Sequence, residues 1–155
     1  MPDIRFHPIV GPALDALRAG GPDANGQPAE RAVSSGSGVP CRSCLGIVPA
    51  GHAYLIAAWC PFDVRHPYAE TGPVFFCADC RPAAPAPDLP PMFTSASYIV
   101  RGYDAAQRIV HGTGSVVARA AIAARAAELL ARADITHVDV RSAANNCFHA
   151  RVRRA

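Results

Sequence analysis

The stretch AAIAARAAELLARADITHVDVRSAANNCFHARVR, residues 120–153, decides the fold. Its first part sets Ile122, Leu129 and Leu130 near helical spacing among alanines, with Arg125 and Glu128 available for the outer face. Alanine has the highest intrinsic helix propensity and the apolar positions make one packing face, so the pattern predicts a helix over 120–133. The second part alternates polar and apolar residues over 135–141 and 147–153, with SAANN at 142–146 between them. Asparagine tolerates the left-handed backbone of a turn, and the two segments are expected to close as an antiparallel hairpin. Helix and hairpin together predict an α+β protein with a mainly antiparallel sheet and one principal helix.

Upstream, residues 95–103 read as a strand and 107–117 as another, the second containing Gly112 and Gly114. These complete an α+β core over 93–155. Pro82, Pro85, Pro87, Pro90 and Pro91 mark 81–92 as an extended spacer, because proline removes backbone donors and favours the polyproline conformation. The apolar runs 51–59 and 73–77 are buried strands by composition, and 4–10 is a short one. Residues 20–40 concentrate Gly, Ser, Pro, Asn and Asp, which suits a flexible linker. The whole chain, 1–155, is the size of one domain burying about 68–70% of its unfolded surface. No internal repeat is visible.

Two Cys-x-x-Cys pairs, Cys41-Arg-Ser-Cys44 and Cys77-Ala-Asp-Cys80, flank the strand-rich stretch. A two-residue gap folds into a tight turn that aims both sulfurs at one ion, and Leu45-Gly46 supplies a permissive glycine after the first pair. Residues 41–80 are therefore expected to form a zinc-ribbon-like lobe holding a structural Zn2+ on Cys41, Cys44, Cys77 and Cys80. Iron–sulfur ligation uses the same residues. A thioredoxin-like pair needs a helix N-terminus, whereas Cys41 follows Pro40 in a loop. His52 and His66 are the residues able to replace a cysteine ligand. Four thiolates fill the coordination shell and leave no open position for catalysis. Cys60 reads as a small buried apolar residue. Gly112-Thr-Gly114 is similar to part of a phosphate loop but lacks its further glycine and lysine, so it reads as structural.

If the hairpin loop is 142–146, Arg141 opposes Cys147, Asp139 opposes His149, and His137 opposes Arg151. Period-two alternation then puts all six on one face, with Phe148, Ala150, Val152, Val138 and Val140 on the other. A thiol beside an arginine and a histidine is the set that lowers a cysteine pKa and moves a proton. It defines one candidate catalytic group: Cys147 as nucleophile or redox centre, His149 as base, Asp139 as orienter.

All 15 basic residues are arginine, and they are scattered, with a formal charge of only +3. That distribution argues against nucleic acid as the partner. The opening MPDIRFHPIVGPALDALRAGG has no continuous apolar core of a signal peptide, and no later run suits a membrane span. A cytoplasmic location is the expectation, and there six cysteines are metal ligands or reactive thiols rather than a disulfide framework.

Pro40-Cys-Arg-Ser-Cys-Leu, Pro67-Tyr-Ala-Glu-Thr-Gly-Pro73, Arg101-Gly-Tyr-Asp104 and Arg141-Ser-Ala-Ala-Asn-Asn-Cys-Phe148, followed by Arg151-Val, occur in that order. In these segments, over about residues 39–155, the chain resembles the bacterial domain-of-unknown-function family 1203. The resemblance implies a small cytoplasmic protein and draws attention to Cys41, Tyr68, Gly72, Pro73, Tyr103, Asp104, Cys147 and Phe148. It also implies that the metal is an accessory of this branch and that Cys147 and Tyr103 are the better candidates for a shared role. Two functional expectations result. One is a non-enzymatic, zinc-stabilised module that binds a protein or small-molecule partner; the other is a thiol-dependent enzyme or redox protein using Cys147.

Overall fold

The alanine-rich run forms a helix in the computed structural model, which describes residues 1–155. It opens with a 3₁₀ turn (Arg119–Ala121) and continues as a helix (Ile122–Leu130). The helix ends earlier than expected because the chain must turn to bring Ile135 to full burial, with Arg132 and Asp134 paired outside. Ile122, Ala126, Leu129 and Leu130 lie on its buried face. They pack on Val100, Val138, Val140, Ala150 and Val152 of the sheet beneath.

In chain order the elements are β1 (Ile4–His7), α1 (Pro12–Arg18), β2 (Glu30–Val33), β3 (Ala53–Trp59), β4 (Gly72–Cys77), β5 (Ser97–Tyr103), β6 (Ser115–Ala118), α2 (Ile122–Leu130), β7 (His137–Ser142) and β8 (Phe148–Arg154). They build two antiparallel sheets, β1-β8-β7-β5-β6 and β2-β3-β4. The fold is α+β, as the terminal stretch implies. At Gly102 in β5 an added Cβ would meet Ile135 Cδ1 at 2.8 Å and Thr113 Oγ1 at 3.2 Å, so a larger residue there would force the fully buried Ile135 side chain to shift.

The smaller sheet has its own core, in which Leu14 and Leu17 of α1 cover Leu55, Ala57, Val74 and Phe76. The cysteine loop forms a third cluster with Val39, Cys41, Val48 and Cys77. It is tied to β4 by a parallel bridge of Cys41 with Phe75 and by the Arg42 amide donating to the Phe75 carbonyl.

Several expected segments differ. Helix α1 was not anticipated: Pro12 and two leucines three apart are too short a signal. Residues 20–40 are not all linker, because Glu30–Val33 pairs with β3 as β2. Asp23 also orders the preceding turn by accepting from the amides of Asn25, Gln27 and Ala58. Residues 107–117 are not one strand. Gln107 and Gly112 have φ of 60° and 88°, and Asp104 Oδ1 accepts the amides of Ala106 and Arg108, so the chain turns and pairs with β5 only from Ser115. The proline-rich run is pinned at three points, by Ala83 to Ser43, by Ala86 to Phe6 and by Met92 to Leu45.

Candidate metal centre and the cleft beside it

The ligand atoms of Cys41, Cys44, Cys77 and Cys80 all lie within 4.8 Å of one another, and all four cysteines are free. Cys41 Sγ is 3.8 Å from Cys80 Sγ, and Cys44 Sγ is 3.9 Å from Cys77 Sγ. Sulfurs about 3.8 Å apart are the edges of a tetrahedron with metal–sulfur bonds of about 2.3 Å, so the four fit one ion. The turn after the first pair is closed by the Leu45 amide donating to the Cys41 carbonyl and the Cys41 amide to the Gly46 carbonyl, with Leu45 at φ 59°.

Cys41 Sγ accepts the amides of Cys77 at 3.2 Å and Cys44 at 3.5 Å. Hydrogen bonding from the Cys44 thiol and these amides holds the Cys41 thiol down at about 4, which makes it the thiolate of the set. That thiolate pushes the Cys44 thiol up, and burial pushes Cys77 up to about 12. A metal ion binding here displaces the remaining thiol protons. Arg18, the last residue of α1, adds an outer partner: Nη2 donates to Cys80 Sγ at 3.2 Å, and Nε and Nη2 both reach the Cys77 carbonyl. Neither histidine considered as a replacement ligand joins the cluster. His52 is exposed, and His66 packs on Phe62 and Tyr68.

The hairpin differs from the expected register. Asp139 pairs with Arg151 and Val140 with Ala150, and a bulge then sets Arg141 opposite Phe148. Asp139 therefore faces Arg151, not His149, in a two-pronged ion pair at 2.7 and 2.9 Å. The turn accounts for the change: the Ser142 amide donates to the Cys147 carbonyl and Asn146 adopts φ 57°, so the loop is moved one residue along, to 143–147, with Ser142 in β7 and Cys147 outside β8. His137 Nε2 is 3.8 Å from Asp139 and its ring stacks on Tyr103 at 4.9 Å. Tyr103 is itself buried, with its hydroxyl accepting from Arg101 Nε. The expected trio of Cys147, His149 and Asp139 is thus not assembled.

Cys147 and His149 do share a cleft of about 460 Å³, together with Arg42, Phe75, Tyr98 and Ser95. Cys147 also borders an adjoining cleft of about 380 Å³ with Glu70 and Arg141. His149 packs against Phe93 and Tyr98, and its Nδ1 lies 3.1 Å from the Cys147 carbonyl. A carbonyl can only accept, so Nδ1 carries the proton and Nε2 the lone pair. Burial pushes this histidine down to about 4, so it is neutral at pH 7. Arg141 donates through Nε to Asn146 and through Nη2 to Glu70, while its Nη1 has no partner.

Arg42, one residue after Cys41, is the residue that sequence reasoning missed. It reaches across the molecule, Nε donating to the Phe148 carbonyl at 2.8 Å and Nη1 to the Pro40 carbonyl at 2.7 Å, with the guanidinium 5.6 Å from the Phe75 ring centre. Burial lowers it to about 10, still a cation at neutral pH. Cys60, expected buried, is half-buried at a separate small cleft beside Trp59. No helix is long and apolar enough to cross a membrane.

Residues 38–154 match the family described as protein of unknown function (DUF1203). No curated protein and no solved structure matches the chain. The matched residues take in all four clustered cysteines, Arg42 and the whole lining of the Cys147 cleft, and leave out α1 with Arg18. The chain belongs to the DUF1203 family.

Proposed function

We propose that this protein is a non-enzymatic binding module in which a structural zinc ion holds one wall of a ligand cleft. The observation that carries this reading is the placement of Arg42: adjacent to metal ligand Cys41, it lines the cleft and fastens the cysteine loop to the Phe148 carbonyl of β8. Zinc suits four sulfur donors in a closed tetrahedral set, and such a site leaves no position for substrate. The metal thus shapes the cleft without taking part in chemistry. The cleft volume of about 460 Å³ suits a small molecule. Six free thiols agree with a reducing cytoplasm. The test is zinc content by elemental mass spectrometry alongside alkylation of Cys147 in parent and Cys44→Ser protein. Loss of zinc with a changed Cys147 alkylation rate supports the module. Loss of zinc with that rate unchanged overturns the link between metal and cleft.

A thiol-dependent reaction is the second reading, favoured by one observation: Cys147 and a neutral His149 with its lone pair on Nε2 border the same space. In it Cys147 is the nucleophile and His149 the base, oriented by the Cys147 carbonyl, and Asp139 has no part because it is committed to Arg151. Cys147→Ser separates the readings, since it spares a binding module and abolishes a thiol reaction.

A further inference from the structure

Three arginines are buried: Arg42, Arg141 and Arg151, at 2%, 5% and 8% exposure. Arg141 has Glu70 at 2.7 Å and Arg151 has Asp139 at 2.7 Å. Arg42 forms no salt bridge. A charge taken out of water needs a counter-charge or a full set of hydrogen-bond partners, and removing either costs several kcal/mol by order of magnitude. Arg42 has only part of such a set: Nε and Nη1 meet two carbonyls and Nη2 makes no hydrogen bond. The guanidinium is held rigid by those two carbonyls and by Phe75, and it lines the larger cleft.

We propose that this cleft takes a small organic carboxylate, its anionic end on Arg42 Nη2 and its body in the space lined by Phe75, Tyr98 and His149. The inference deepens the binding-module reading and rests on it. A monoanion matches the charge available. Arg42 is the one cation in the lining of this cleft and His149 is neutral, while Arg141, across Cys147, shares the Glu70 carboxylate with Arg101. The lining offers one arginine and does not include the N-terminus of either α-helix, which favours a carboxylate over a phosphate. The metal centre is the competing counter-charge for Arg42. However, none of the guanidinium's hydrogen bonds goes to a sulfur, and the cation that does donate to one is Arg18.

Cys147, at the rim, reports on the site. On the zinc-loaded protein, its alkylation by iodoacetate, which carries a carboxylate, is compared with that by neutral iodoacetamide, read by peptide mass spectrometry. In each case the thiolate displaces iodide and forms one C–S bond. The rate ratio of iodoacetate to iodoacetamide should be about tenfold higher in the folded protein than in the urea-unfolded chain, as local focusing of an anion implies. Benzoate should protect Cys147 where benzamide does not. Arg42→Gln should bring the ratio down to the unfolded value. If that variant does not fold, the folded-to-unfolded ratio and the benzoate–benzamide comparison decide alone. Equal ratios in folded and unfolded protein, or equal protection by benzamide, would overturn the carboxylate while leaving the metal-held cleft to its own zinc test. A ratio kept in Arg42→Gln with zinc lost would assign Arg42 to the metal centre and overturn it too.

Discussion

His137 and His149 are neutral in the folded protein because burial pushes both from an ordinary 6.5 down to about 4. The unfolded chain regains ordinary values, so between about pH 6.5 and 4 it binds protons that the native state does not. Stability from this source is complete above 6.5 and is lost as the pH falls to about 4, on the order of 3 kcal/mol per histidine. His137→Phe keeps a ring on Tyr103 and removes the proton, so its urea midpoint should drop less than the parent's between pH 7 and pH 5. Acid release of a metal held by the cysteine cluster would affect both proteins alike. An equal drop would contradict the assignment. At Asp139 the prediction is larger: Asp139→Asn leaves Arg151 buried without its partner and should cost about 3–5 kcal/mol of unfolding free energy at pH 7. A loss under about 1 kcal/mol would place that ion pair in solvent. At this scale the four cysteines were legible because their spacing is itself the chemistry. Arg42 was not, since its partner Phe148 is 106 residues away.

The elements show where local pattern stops being enough. Alternation identified the β7–β8 hairpin and the apolar face of Val138, Val140, Ala150 and Val152, but neither its register nor the side taken by Phe148, which stands opposite Arg141 and packs on Arg151, because the bulge after Val140 and the left-handed Asn146 have no period-two signature. The safest sequence feature, the alanine-rich helix, survives in α2 with its ends trimmed. Helix α1 escaped because seven residues are stabilised by packing rather than propensity. That short helix makes a prediction of its own. Its terminal Arg18 donates to Cys80 Sγ and the Cys77 carbonyl, so Arg18→Ala should speed metal release to a chelator by about 10–100-fold, the range for outer partners of metal ligands. Unchanged release would reduce Arg18 to a surface contact.

On the scale of the whole molecule, two antiparallel sheets meet at the cysteine loop, which pairs with β4 on one side and through Arg42 holds β8 on the other. The α+β class was readable from one terminal stretch, whereas the cleft was not, because its walls come from residues spread between Gly38 and His149. Metal affinity in finger-like sites, about 10–16 kcal/mol, is as large as a domain's whole stability of about 5–15 kcal/mol, so the ion should govern this junction. Elemental mass spectrometry of the purified protein, with thiol titration of the same sample, tests that most directly. The expected result is about one zinc per chain, four thiols shielded until the metal is removed, and loss of zinc in Cys44→Ser. A metal-free protein with all six thiols reactive would contradict it.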